Sequence, residues 1–406
     1  MSSEPINSVD AARGASRLIT DAIEQLVRIV EAMHANISAA APPIGPGTDG
    51  KAGGIAGLVY QSIRLVNSGV RSGVDAGLAL AAKRAATQLP SAQWDAVHSA
   101  LNGVLGDYLE QTANPLALRM RLRLAGQDLP AELGPMPVSI PERSGRVLIA
   151  IHGLCMSDQQ WTRKGHNHID ALATEFGYTP LYLRYNSGRH ISQNGRELAG
   201  QLEQLLQAWP QPVEELLVVS HSMGGLLLRS ALHHAAVADL TWPAKLSKVI
   251  FLGTPHHGAP LERGGNWLEN TLGHSPYTAP IARLGMLRSA GVTDLRHGNM
   301  LDQDWQGRDR FAPGSDPRSP LPLPAGIRFY AAAASTGARE QDVSDRLLGD
   351  GLVPVASAFG RHPEAEHQLA FDAERQWLGY RLNHLDLLND AALFQQLRAW
   401  VASPKA

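Results

Sequence analysis

The segment S-H-S-M-G-G at 220–225 ends an apolar run, L-L-V-V, and opens onto G-G-L-L-L-R-S-A-L-H-H-A-A. A buried strand that turns through a serine straight into a helix makes an elbow that lifts the hydroxyl clear of a sheet, provided its flanking positions are small, as Ser220 and Gly224 are. Serine is a weak nucleophile at neutral pH and needs a base. In such elbows the partners follow the serine in the order acid, then histidine. Asp350 in G-D-G-L-V-P (349–354) and His384 in L-N-H-L-D-L-L (382–388) meet that requirement. The expected roles are attack by Ser222, proton transfer by His384, and fixing of the imidazole tautomer by Asp350. Asp342 and Asp345 stand as substitute acids. Asp350 also reads as a turn former beside Gly351, and His384 as a buried helix cap.

An attacked carbonyl needs donors for its developing oxyanion. The N–H of Met223, directly after the serine, is one, and the loop after the first strong strand, I-H-G-L-C-M-S, offers that of Leu154 as the other. Gly153 lets this loop approach closely, His152 is expected to bond within it, and Cys155 reads as packing rather than as a second nucleophile. His256 and His257 in G-T-P-H-H-G-A-P are expected to form wall rather than bind metal, and Asp386 to cap the helix after His384. No ligand spacing here implies a metal, and no cofactor is implied.

These residues need a scaffold. Short continuous apolar runs, R-V-L-I-A-I-H-G, P-L-Y-L-R-Y-N-S, E-L-L-V-V-S-H-S, K-V-I-F-L-G-T-P and I-R-F-Y-A-A-A-A-S, read as strands covered on both faces, hence a mostly parallel sheet with helices outside. Between the fourth and fifth lies an insertion, about 258–325, too long for a loop and expected to be a cap or lid. Its Trp267, Leu268, Leu272, Tyr277, Ile281, Leu284 and Leu287 either face an apolar ligand or hold the cap to the body. Ahead of this α/β domain (131–406), residues 1–130 read as a helical region. An amphipathic helix is expected over 16–37, a second stretch to about Thr87 with Gly69, Gly73 and Gly77 at four-residue steps, and a third from after Pro90 to about Thr112. The glycine stripe serves helix packing, or docking on a membrane or lipid-droplet surface; Arg64, Arg71, Asp75, Lys83 and Arg84 argue against a span.

With 36 basic and 38 acidic residues among 406, the chain presents no field that would gather nucleic acid. Cys155 is the one cysteine, so an internal disulfide and thiolate metal cages are excluded. The opening M-S-S-E-P-I-N-S-V-D lacks the pattern of a secretory signal, and the expectation is a cytoplasmic protein.

The motifs I-H-G-L, S-H-S-M-G-G, G-T-P-H-H-G, G-D-G-L-V-P and N-H-L-D-L-L occur in that order across about 146–400. In them the chain resembles the α/β-hydrolase superfamily, and within it the triacylglycerol-lipase-like branch of bacterial lipases and esterases. The resemblance implies that fold, with a cap insertion, and the same Ser222–Asp350–His384 and Leu154–Met223 assignments. Ser220 stands where the family has its first elbow glycine, a sterically mild exchange. Asp386 falls where some of these lipases bind calcium, but no second acidic ligand is evident in the earlier loop, so calcium is not carried over. The activity implied is hydrolysis of a small-molecule ester or lipid. Acyl transfer on the same scaffold, or binding without catalysis, are the alternatives.

Overall fold

The computed structural model describes residues 9–21, 24, 92–129, 144–259, 289–309, 316, 318–338 and 349–404. The chain divides into two compact units, one of residues 1–2, 91–110 and 118–406, the other of residues 3–90 and 111–117. In the smaller unit residues 9–21 are helical, so the helix expected from Ser16 already exists at Val9. There the Arg17 guanidinium donates to the carbonyl of Ala113, and the Asn114 amide to that of Gly14. The glycine stripe at 69–77 and the apolar residues named between 267 and 287 lie outside the described residues, as do Asp342 and Asp345. Among the described residues, no helix is long and apolar enough to cross a membrane.

The larger unit is built on one eight-stranded sheet. Its strands are β1 (Arg121–Leu124), β2 (Gln127–Asp128), β3 (Arg146–Ile151), β4 (Thr179–Arg184), β5 (Glu215–His221), β6 (Leu246–Leu252), β7 (Arg328–Ser335) and β8 (Gln376–Tyr380), in the order β2-β1-β4-β3-β5-β6-β7-β8. Every pair from β4 to β8 is parallel, whereas β1 runs antiparallel to both β2 and β4. The five apolar runs of the sequence are the five strands β3 to β7. β7 is not the last strand, because β8 follows it beyond Asp350 and lies just before His384.

Alternation along the strands divides the core in two. Val147, Ile149, Ile151, Leu216 and Val218 face one side, where they pack with Leu198 and Leu202 of helix α3 (Ile191–Ala208) and Leu226 and Leu227 of α4 (Met223–Val237). Leu148, Ala150, Leu217 and Val219 face the other, with Ile169 and Leu172 of α2 (His168–Phe176) and Leu393 and Leu397 of α5 (Ala391–Ala402). Each such Val, Leu or Ile side chain, fully buried, contributes ~1.5–3 kcal/mol, so the central strands form a stiff platform. Helix α1 (Ala92–Gln111) belongs to the same packing: Ala100 and Val104 join the first face, and the Gly103 carbonyl accepts from the Ser289 hydroxyl at 2.6 Å.

Register brings the strands' carboxyl ends to one rim. Ile151 of β3 lies beside Ser220 of β5, His221 of β5 beside Leu252 of β6, and Ser335 of β7 beside Tyr380 of β8. The residues that follow, His152, Ser222, Gly253, Thr336 and Arg381, therefore all leave the sheet along the same edge.

Candidate active site

Ser222 joins β5 to α4 with φ 55° and ψ −128°, a conformation open to a residue with a Cβ only under constraint. The constraint is visible. Its N–H donates to the Leu252 carbonyl at 2.8 Å, and its own carbonyl accepts from Gly225 N–H at 3.1 Å. A Cβ at position 224 would come 2.5 Å from the Ile151 carbonyl oxygen, so glycine is needed where the helix crosses β3. Ser220, in the place of the elbow's first small residue, is wholly buried, with its Oγ 3.5 Å from the Ile250 carbonyl oxygen.

His384 and Asp350 meet on loops flanking β8. The imidazole Nδ1–H of His384 donates to Asp350 Oδ2 at 2.6 Å, and His384 N–H to the Asp350 carbonyl at 3.0 Å. Asp350 Oδ1 accepts from the N–H groups of Leu352 and Val353 at 3.0 and 2.8 Å. The carboxylate is thus fixed by its own turn, which glycines at positive φ on both sides, Gly349 at 54° and Gly351 at 94°, allow. Both side chains are buried. His384 sits against the elbow: its ring centroid is 4.6 Å from that of His221, and its Cε1 is 3.0 Å from where a Cβ on Gly253 would stand. His384 Nε2 is buried and, among the described residues, has no hydrogen-bond partner.

The loop after β3 closes on the serine from the other side. Gly153 is so near that a Cβ there would lie 2.8 Å from Ser222 Cβ. Leu154 follows it, buried, and Met223 is the first residue of α4, at the end where helix N–H groups have no carbonyl four residues earlier to bond. The Cys155 N–H is taken by the Ser187 hydroxyl at 3.1 Å, and Cys155 itself has a positive φ of 60°. His152 Nδ1–H donates to the Gly153 carbonyl at 2.8 Å and its ring stacks on Tyr185, whose hydroxyl donates to the His152 carbonyl at 2.9 Å. Burial lowers the His152 pKa to about 4 and pushes the Cys155 thiol well above its ordinary value, leaving the one uncharged and the other a thiol.

His256 and His257 diverge. The first is wholly buried against Phe251 and Phe371 and accepts from the Arg229 guanidinium at 3.3 Å. His257 is half-buried, its Nδ1 accepting from Arg318 at 3.3 Å, and burial lowers its pKa to about 4. Asp386 does not cap the helix after His384. That task falls to Asp390, whose Oδ1 accepts from Leu393 N–H at 2.8 Å at the start of α5. A short 3₁₀ turn, Asp386–Leu388, intervenes; Asp386 Oδ2 accepts from Asn383 N–H at 3.1 Å and its Oδ1 lies 3.7 Å from the Lys164 ammonium. Away from these residues, Glu364, Glu366 and His367 bring possible ligand atoms within 4.8 Å of one another on the segment before β8.

Sequence reasoning left two buried groups without a role. His221, adjacent to the serine, donates its Nε2–H to the His384 carbonyl at 3.1 Å. Arg229, two turns along α4, ties the helix to the Leu321 carbonyl, and burial with Arg318 nearby lowers its pKa to about 9. Neither has a spacing signature; both depend on segments far away in the chain.

Residues 142–318 match the family described as PGAP1-like alpha/beta domain. Among solved structures, the chain is similar to the mature form of the lipase BlEst2 of Bacillus licheniformis, at 21% identity over 65% of this chain and 96% of that one, with a TM-score of 0.38. It is also similar to phospholipase PlaB of Legionella pneumophila, at 15% identity over 52% and 45%, TM-score 0.35. The Pyrococcus furiosus esterase Pf2001 is similar at 13% identity over 64% and 80%, TM-score 0.37. No curated protein sequence matches the chain. With a mostly parallel eight-stranded sheet, flanking helices and a PGAP1-like match over its central strands, the chain has the α/β-hydrolase fold.

Proposed function

We propose that the chain is a serine hydrolase of carboxylic esters, with a lipid or other acyl ester as its substrate. The observation that supports this most is the 2.6 Å bond between His384 Nδ1 and Asp350 Oδ2, on a ring whose Nε2 has no partner among the described residues and which lies beside the Ser222 elbow. A histidine so held is a base with one tautomer, and its free nitrogen is the one a serine hydroxyl needs.

In this reading Ser222 Oγ attacks the ester carbonyl while His384 Nε2 takes its proton. The oxyanion is met by the N–H groups of Leu154 and Met223, the second at the positive end of α4. His384 then returns the proton to the departing alcohol, leaving an acyl-serine, and water repeats the sequence to release the acid. Asp350 stabilises the imidazolium at both stages. No hydrogen bond joins Ser222 Oγ to His384 Nε2 among the described residues, and in this reading the two come into bonding reach with substrate bound. An acyl chain lying under the 258–325 insertion and a membrane-surface role for the N-terminal helices belong to the same proposal.

A fluorophosphonate probe tests it directly. The parent protein is expected to label at Ser222 and to hydrolyse p-nitrophenyl esters, while Ser222→Ala does neither. A folded parent that resists the probe would overturn the reading. Product analysis with and without an added alcohol or thiol distinguishes hydrolysis from acyl transfer.

A further inference from the structure

The residue before the elbow serine is not a spacer. His221 closes β5, is wholly buried, and turns its ring to the His384 loop, with Nε2 3.1 Å from the His384 carbonyl oxygen and the two rings 4.6 Å apart. Because a carbonyl only accepts, the proton is on Nε2. Nδ1, on the far side of the ring, is buried and without a partner among the described residues.

Counting the bonds on His384 shows what this contact adds. Its N–H is held by the Asp350 carbonyl and its ring by Asp350 Oδ2, both on the turn between β7 and β8. The bond from His221 ties the remaining backbone polar group, the carbonyl, to β5, the strand that also carries Ser222. Without it, among the described residues, nothing in the hydrogen bonding of His384 refers the base to the strand of its nucleophile. We infer that His221 is a positioning residue for the serine hydrolase reaction proposed above, clamping the backbone of His384 to the strand end that bears Ser222.

Its chemistry suits the task. A positively charged ring so close to His384 would oppose formation of the imidazolium. Burial, reinforced by His384, His152 and Arg163, keeps the His221 pKa well below its ordinary value, so the clamp is a neutral donor throughout the cycle. The inference rests on the proposed roles of Ser222 and His384, and its test separates the two.

Three variants are compared with the parent for probe labelling, p-nitrophenyl ester kinetics and thermal melting: His221→Phe, which keeps a ring without a donor, His221→Met, which fills with a flexible apolar chain, and His221→Gln, whose amide restores a donor at similar reach. His221→Phe and His221→Met are expected to lose ~10- to 100-fold in kcat with KM little changed, the scale of a displaced catalytic group. His221→Gln is expected to recover to within about threefold of the parent. A parent-like kcat in either folded apolar variant, or a His221→Gln protein as slow as they are, overturns the clamp. Should the apolar variants melt below the assay temperature, His221→Gln alone decides, and a loss of about tenfold or more overturns it. A parent that never labels brings down the nucleophile assignment and this inference together. A parent that labels, beside a His221→Phe protein that labels as fast, brings down this inference only.

Discussion

Gly153 stands so close to Ser222 that a methyl group in place of its hydrogen would lie 2.8 Å from the serine Cβ and 3.3 Å from His221 Nδ1. Neither neighbour has room to give, since the elbow is wedged between β3 and β6 and His221 is buried. The loop that carries Leu154 therefore has to be the part that yields.

Gly153→Ala is accordingly expected to move that loop away from the nucleophile. Loss of one oxyanion donor costs ~100- to 1,000-fold in kcat, and the variant should fall in or near that range while remaining folded. Steady-state ester kinetics with a melting curve check it; parent-like turnover would show that the loop's N–H does not serve the reaction.

Ser222 is held at φ 55° and ψ −128°, a conformation costing ~1–3 kcal/mol in a residue with a Cβ. Glycine escapes that cost. Between two variants that both lack the hydroxyl, Ser222→Gly should therefore be more stable than Ser222→Ala by about 1 kcal/mol in denaturant unfolding. Equal stabilities would mean that the elbow is not strained.

Removing the acid should be graded relative to removing the base. Ser222→Ala and His384→Ala are expected to lower turnover by ~10⁶-fold, and Asp350→Asn by ~10⁴-fold, the magnitudes seen for serine triads elsewhere. The reason for the gradation is structural: with Asn at 350, two backbone N–H groups still hold the side-chain oxygen at Oδ1, while an amide at the Oδ2 position confronts His384 Nδ1–H with a donor. An Asp350→Asn protein with a tenth of the parent rate would point to a different acid.

How far the sequence discloses this arrangement follows from where each signal resides. β3 to β7 are covered on both faces and read as unbroken apolar runs, and the elbow, acid and histidine fall in motifs tied to their ends. The strands toward the sheet's margins are quieter. β1 is Arg-Leu-Arg-Leu, with Arg123 paired to Asp128 and Asp158, and β8 is Gln-Trp-Leu-Gly-Tyr, mostly half-buried, so neither has the composition of a core strand. His221 is illegible for another reason: its partner carbonyl lies 163 positions away, and only the register of β5 against β6, with the loop after β8, brings them together. Asp386 and Asp390 show the same limit over a short distance, where the sequence identifies a capping residue but a 3₁₀ turn decides which aspartate caps.

Acid should unfold this protein through its buried histidines. His152, His221 and His256 are wholly buried, and His168 is buried too; burial is the first cause of depressed basicity in each, with His152 lowered to about 4 and His168 to about 3. Unfolding returns each to an ordinary value near 6.5. The native state thus binds fewer protons than the unfolded state between those values, and stability must fall as pH drops below about 6.5, levelling for His152 once pH passes about 4. His152 alone accounts for ~3 kcal/mol of that loss by pH 4. Melting temperature measured from pH 8 to pH 4 should be flat at first and then decline. His152→Asn should lessen the decline, and a profile without any loss between pH 6.5 and pH 4 would mean that these rings are already charged in the folded protein.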